Sequence, residues 1–493
     1  MAEMAIIYYT SDVHSYLYPV NYISGRVEAM GYAAISSRFA DADLILDGGD
    51  SLQGSPLVSY ELRHGIKELS AAKLYNAAGL SVYVPGNHDF NFGPERLRSF
   101  LASLDADIVA ANVEGIGAKP YVLKETEDGT RLFITGVVTD YVNIWDKGPH
   151  LEGLKVTDCV QQAEEALKES RRLSPDFTIC IYHGGFGEET GAVKENRGEE
   201  LSRLGFSLLL TAHQHAVIPP RTVNGTLTLQ AGCKGALAAR IELSRGKEIK
   251  AELVKADTSL PLLPAVKAAL AQDRVHDKVL ASLDSVIARG RLEDKSKLDS
   301  ALHGSSLADF FNDVQLEFSG ADVSAAALVN DPVSLGPEIT LGQLFAAYPF
   351  SNTLTKLRIN GRMLKQAVEN SALYFTLKDG KIAISDRFLW PKREHYNYDF
   401  YRGIDYEITV SREPGDRVTR LMLGSIDLLQ HPESELTIVL NSYRATGTGG
   451  YAAYREGETV EKYAADVQDL LRESLESHGT VPVPEPSCYS VVP

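Results

Sequence analysis

Cysteine is scarce and scattered. Cys159, Cys180, Cys233 and Cys488 share no CxxC spacing, which fits reduced thiols and excludes a disulfide framework. Cys180 lies in an apolar run and is expected in the core. No apolar run approaches about 20 residues, so a membrane-spanning helix is excluded and no membrane partner is expected. Basic residues are outnumbered: 49 Lys+Arg stand against 66 Asp+Glu, a formal charge of −17. The chain therefore lacks the basic stripe that displaces counterions from DNA or RNA, and a nucleic-acid polymer is not an expected partner. A small phosphorylated substrate stays open, because bound cations can invert a local field. No basic, apolar or cleavage pattern precedes the first β-like run, so a cytoplasmic location is expected. Internal repeats and low-complexity blocks are absent.

What is there is an ordinary globular composition, 44% hydrophobic and 23% charged over 493 residues, long enough for two to four domains with real cores. Up to residue 258, short apolar runs at 5–10, 44–46, 82–84, 108–111, 132–138, 177–182 and 206–210 alternate with polar helical stretches such as 160–173. Strands separated by helices predict a layered α/β domain over 1–258. Residues 263–287 carry one amphipathic pattern, and 259–300 are expected to hold a linker helix. A second domain over 301–480 opens on the helix-start signal Ser305-Ser306-Leu307-Ala308-Asp309. It includes strand-like runs at 406–410 and 436–440. The Pro-rich end, 481–493, is expected to be a loose tail.

Chemistry-bearing motifs follow five of the apolar runs. They are Asp12-Val13-His14, Gly48-Gly49-Asp50, Gly86-Asn87-His88-Asp89, His183-Gly184-Gly185 and His213-Gln214-His215. In layered α/β folds, loops at the carboxyl ends of strands converge on one crevice. Asp12 and His14, like His213 and His215, are two apart, so an extended backbone points both side chains the same way. Asp12, His14, Asp50, Asn87, His183, His213 and His215 form a mixed nitrogen and oxygen donor set. These seven are too many for one tetrahedral ion. They suit two divalent ions about 3.5–4 Å apart with a shared carboxylate, an arrangement for in-line displacement at phosphorus. Each motif alone is weak, since a strand-end histidine is usually a satisfied polar residue; together and in this order they are a strong signal.

The set resembles the calcineurin-like metallophosphoesterases, specifically the nucleotidase branch with an added C-terminal domain, from Tyr9 to about Leu471. The resemblance implies a four-layer α/β sandwich with a C-terminal α+β domain joined by a linker helix. It also implies a metal-dependent phosphoric ester hydrolase with two divalent ions. One ion would be held at Asp12, His14, Asp50 and His215, the other at Asn87, His183, His213 and again Asp50. His88 would stabilise the transition state or protonate the leaving oxygen. The donor set admits Mn, Zn, Fe or Co. The family's Gly-x-His pattern is departed from at Ala212, where an added methyl is expected to cause strain at most.

The second domain bears on specificity. Asn441-Ser442-Tyr443-Arg444-Ala445-Thr446-Gly447-Thr448-Gly449-Gly450-Tyr451 resembles the nucleoside-binding segment of this branch, which makes Tyr443, Arg444 and Gly447 candidate substrate contacts. An aromatic at Tyr443 would stack on the base, with Tyr398 as its partner. Three features depart from the 5′-nucleotidase pattern: Asn91 stands where that pattern has Asp, Gly449 replaces a ribose-binding Asp, and residues 327–335 lack the Asn-Gly-Gly-x-Arg stretch. A carboxylate at position 91 would favour the imidazolium of His88, whereas Asn can only hydrogen-bond. The stretches 86–93, 52–57, 398–406 and Tyr443-Arg444-Ala445 instead resemble the 2′,3′-cyclic-nucleotide phosphodiesterase subgroup. Hydrolysis of 2′,3′-cyclic or 3′-nucleotides is therefore expected. A 5′-nucleotidase, or a broader nucleotide or nucleotide-sugar phosphohydrolase, is the alternative. An inactive scaffold is a third reading, against which the intact donor set argues.

Overall fold

The computed structural model describes residues 4–22, 25–145, 148–187, 194–244, 248–293, 295–331, 333–350, 352–390, 393–481 and 487–493. The chain divides into two compact units at Leu280/Ala281.

The first unit is built on two six-stranded sheets. One runs Glu248–Lys255, Leu237–Ser244, Met4–Thr10, Leu44–Asp47, Val82–Tyr83, Asp107–Ile108. The other runs Val217–Val223, Thr226–Ala231, Leu208–Thr211, Phe177–His183, Arg131–Val138, Tyr121–Glu125. The strands bearing the motifs pair in parallel: Met4–Thr10 with Leu44–Asp47, that strand with Val82–Tyr83, and Phe177–His183 with Leu208–Thr211. Their carboxyl ends therefore fall on the same side of each sheet.

Side-chain alternation explains the layering. Ile7, Tyr9, Leu46, Ile179, Ile181, Leu208 and Leu210 fill one core. The intervening Cys180, Tyr182 and Leu209 face outward onto Ala163 and Leu167 of helix Cys159–Leu173. That helix starts where Asp158 accepts from Gln161 N at 2.8 Å and stops at Ser174 in the left-handed region. On the other sheet, Tyr8 meets Phe39, and Tyr32 meets Tyr75 of helix Ser70–Ala78 edge-on. Cys180 is fully buried, as its apolar run implies.

Two expectations are corrected here. Residues 263–287 do not form one helix. Helix Pro264–Gln272 ends at Asp273, whose extended backbone breaks the pattern, and helix Val275–Leu283 begins after it. Asp273 Oδ1 accepts from Val275 N at 2.8 Å, and its Oδ2 accepts from the Tyr18 hydroxyl at 2.5 Å, so the break is tied to the first unit. A strand, Val286–Arg289, follows. Nor is the C-terminus wholly a loose tail. Residues 482–486 lie outside the described set, but Tyr489–Val492 pairs in parallel with Asp405–Thr409.

The second unit carries a five-stranded sheet in the order Asp399–Arg402, Val323–Ala327, Glu435–Asn441, Thr353–Asn360, Glu458–Asp466, and a four-stranded sheet that includes Asp405–Thr409. Helix Ser306–Ser319 starts after Ser305, although the Ser305 hydroxyl donates to Glu293 O and does not accept from the helix. Phe310, Phe311 and Val314 of this helix join the core with Ile438 and Leu440. Among the described residues, no helix is long and apolar enough to cross a membrane.

Candidate active site

All seven predicted donors meet at the carboxyl ends of the parallel strands. Their backbone is unusual: Asp12, His14, Asp50, His213 and His215 have φ between 51° and 72°. Positive φ is uncommon outside glycine and clusters where function over-determines the backbone. Hydrogen bonds of the fold hold these turns, with Asp12 N donating to Gly49 O and His14 N to Asp50 O, both at 2.8 Å. Close approach also needs Gly86, where an added Cβ would lie 2.2 Å from Asp50 Oδ1.

Two donor groups result, Asp12 with His14 and His215, and Asp50 with His183 and His213. His14 Nε2 and His215 Nε2 are 2.9 Å apart, and His215 Nε2 lies 3.7 Å from Asp12 Oδ1. Asn87 Oδ1 sits 3.1 Å from His183 Nε2 and 2.8 Å from His213 Nδ1. Asp50 Oδ2 stands between the groups, 3.2 Å from His183 Nε2 and 3.9 Å from His14 Nε2.

The imidazoles are turned by what their outer nitrogens touch. His14 Nδ1 donates to Gln53 O and His183 Nδ1 to Gly48 O, each at 2.5 Å. Both rings thus turn Nε2 inward, the orientation a cation needs. Asp89 is a buried brace. Its carboxylate accepts from Gly86 N at 2.8 Å, Ser51 N at 2.9 Å and Tyr83 Oη at 2.6 Å, locking the Asp50 and Asn87 loops together.

The electrostatics ask for positive charge. Burial pushes the Asp12 carboxyl up to about 6, with nearby Asp50 adding to it. Burial pushes His14 down to about 4 despite Asp50. Burial would also raise Asp50, but His183, His88 and His14 around it hold its carboxyl well below the usual range. Asp50 Oδ2 is buried and makes no hydrogen bond. An orphaned carboxylate oxygen facing inward-turned imidazoles fits divalent cations, with one oxygen serving both groups.

His88 lies beside this cluster, its N–H donating to Asp50 Oδ1 and its Nδ1 to Asn91 Oδ1, both at 2.7 Å. Ala212, expected to be strained at most, is outside the left-handed region and donates to Gly184 O at 3.0 Å.

The candidate substrate residues fare differently. Tyr443, on the short helix Ser442–Ala445, is half-buried. Tyr398 is buried. It is 2% exposed, packed on Tyr374 and Phe400, and its hydroxyl donates to Ala301 O, so the expectation that it stacks on a base is corrected. Two residues earlier, Tyr396 is half-buried, and its carbonyl accepts from Arg444 Nη2 at 2.7 Å. Arg444 is 3% exposed, which corrects its expected role as a substrate contact. It pairs with Asp399 at 3.0 Å, donates to Thr448 O at 2.6 Å and lies 4.2 Å from the Tyr451 ring centre. Arg444 therefore joins the two loops from within. Gly447, buried at φ 84°, supplies a turn that other residues avoid. Sequence reasoning missed Glu195, whose Oε1 is 2.9 Å from His213 Nε2.

Residues 6–217 match the calcineurin-like phosphoesterase family, and residues 286–456 match the 5′-nucleotidase C-terminal domain. The chain is 25% identical to the 2′,3′-cyclic-nucleotide 2′-phosphodiesterase/3′-nucleotidase of Salmonella typhimurium, over 89% of this chain and 80% of that protein. It is 22% identical to the trifunctional nucleotide phosphoesterase protein of Bacillus subtilis, a match that covers 98% of this chain but spans only 38% of that longer protein. A solved structure from Staphylococcus aureus, provisionally designated a 5′-nucleotidase and bound to alpha-ketoglutarate, superimposes with a TM-score of 0.88 at 26% identity, over 99% of this chain and 100% of that one.

Proposed function

Because the chain belongs to the calcineurin-like phosphoesterases that carry a 5′-nucleotidase C-terminal domain, we propose that it hydrolyses nucleotide phosphoesters, preferring 2′,3′-cyclic and 3′-phosphates over 5′-monophosphates. The observation that carries this reading is the double donor group joined through Asp50, with His88 hydrogen-bonded to that same carboxylate. The preference is supported by Asn91 beside His88 and by the Salmonella relative's name.

Asp12, His14, Asp50 and His215 would hold one divalent ion, and Asn87, His183, His213 and Asp50 the other, with the metal drawn from Mn, Zn, Fe or Co. Bound there, the ions would activate water and neutralise charge developing on phosphorus.

The protein's own residues do the rest. Gln53 and Gly48 carbonyls keep the His14 and His183 rings turned inward through each cycle. His88 supplies the proton. As water adds to phosphorus and the P–O2′ bond of a cyclic ester breaks, the ribose oxygen leaves as an alkoxide and takes a proton from His88; the water's proton restores the acid. The product is a 3′-monophosphate, which a second round converts to nucleoside and phosphate. Tyr443 is the candidate for stacking on the base, with Tyr396 in the place expected for Tyr398. The net charge of −17 speaks against a polyanionic polymer as substrate, while bound cations would leave the site open to a small nucleotide.

The test is a rate panel on manganese-loaded protein with 2′,3′-cyclic, 3′- and 5′-nucleotides. Cyclic and 3′ esters are expected to dominate kcat/KM. A panel led by 5′-monophosphates overturns the preference, and a panel with no turnover overturns the reading.

A further inference from the structure

His213 differs from its neighbours in which nitrogen it turns inward. Its Nδ1 faces Asn87 Oδ1 at 2.8 Å, whereas His14 and His183 present Nε2. The opposite nitrogen, Nε2, meets the Glu195 carboxylate at 2.9 Å. The indole of Trp145 packs at a tilt against His213, their ring centres 5.3 Å apart.

Glu195 does not reach His213 by chance of a loose loop. Its carbonyl accepts from Thr139 Oγ1 at 2.7 Å, and the next residue, Asn196, accepts from Gly185 N at 3.0 Å. Arg197 follows. Its backbone N–H donates to Tyr182 Oη at 3.0 Å, and its guanidinium pairs with Asp140, Asp158 and Glu200 at 3.1, 2.7 and 3.0 Å. Three consecutive residues are thus anchored, at Thr139, Gly185 and Tyr182, and the carboxylate of the first of them is aimed at His213.

We infer that Glu195 is a positioning residue: it fixes His213 as the Nε2–H tautomer, so that Nδ1 is the donor offered beside Asn87 and Asp50. A carboxylate on the outer nitrogen also raises the ring's basicity as a ligand, and loss of such a partner typically costs roughly 10–100-fold in metal affinity. The inference rests on the metal-centre reading above. It adds that one of the two ions depends on a residue outside the donor set.

Cobalt(II) alone, titrated into the full-length chain, reads this without reference to turnover. The wild type is expected to bind two ions. Glu195→Ala is expected to bind one as before and the second roughly 10–100-fold more weakly, with an altered visible absorption for that ion alone. Glu195→Gln keeps an oxygen acceptor in place and is expected to recover most of the affinity, which a general packing defect would not do. Two wild-type affinities and an unchanged spectrum in Glu195→Ala overturn the role of Glu195 while leaving the metal centre standing. Failure of the wild type itself to bind Co(II) overturns the metal centre and this inference together.

Discussion

Asn91 Oδ1 accepts a hydrogen bond from His88 Nδ1 at 2.7 Å. An amide oxygen only accepts, so Asn91 holds the Nδ1–H, and the proton free to transfer is the one on Nε2 of the imidazolium. Unlike a carboxylate, the amide adds no charge that favours the imidazolium. Asn91→Asp supplies that charge. The alkaline limb of the kcat/KM profile against pH should move upward by about one unit. A profile superimposable on the wild type would separate Asn91 from proton transfer.

The hydrogen bond from His88 to Asp50 is made by its backbone N–H and not by its ring. Removing the imidazole should therefore spare the metals. His88→Ala is expected to lose roughly 100- to 10,000-fold in kcat, the usual worth of a general acid, with metal content per chain unchanged. Elemental analysis beside steady-state rates checks both halves.

Asp50 is the opposite case. One oxygen faces both His183 and His14, and the other holds the His88 backbone. Asp50→Asn preserves shape and removes charge. Both ions should be lost on dialysis, not one. Retention of two ions at wild-type affinity would deny it the shared position.

How far the site could be read in advance follows from where each signal sits. The seven donors were legible because each closes an apolar run, and strand ends in a parallel sheet are brought together by topology alone. Glu195 was not, since it stands in a polar stretch 18 residues from His213 with no periodicity to mark it. Tyr396 and Tyr398 look alike in sequence. Only the packing before strand Asp399–Arg402 decides that Tyr398 turns into the core. The apolar pattern of 263–287 hid its break because Asp273 is an unremarkable helix residue until Tyr18 and Val275 claim its two oxygens.

Arg444 and Asp399 are 3% and 1% exposed. Breaking a buried pair leaves a charge without compensation, at a cost of about 3–5 kcal/mol. Arg444→Met and Asp399→Leu should each lower the unfolding midpoint of the second unit sharply. The double variant should be more stable than the sum of the two losses predicts. Denaturant unfolding of the three variants gives the coupling.

Glu61 offers a pH test away from the metals. Burial lifts its carboxyl from 4.5 to about 7, opposed by hydrogen bonds from Ser70. A folded-state value above the unfolded one means the group's contribution is fully present below pH 4.5 and is lost as pH rises through about 7. Glu61→Gln removes that dependence. Relative to wild type, the variant should gain on the order of 3 kcal/mol between acid and mildly alkaline conditions. Parallel melting curves across this range check the sign.

The left-handed backbone at Asp12, His14, Asp50, His213 and His215 also narrows the alphabet available at the site. Residues that tolerate such a turn are few: glycine, and among side chains mainly Asn, Asp and His. A designer wishing to recruit a softer metal would ordinarily write cysteine at these positions, and a harder one glutamate. Here either choice works against the peptide geometry before any question of ligand chemistry arises. Retuning of the centre is therefore steered toward Asn87 and His183, the two donors whose backbone lies outside that region.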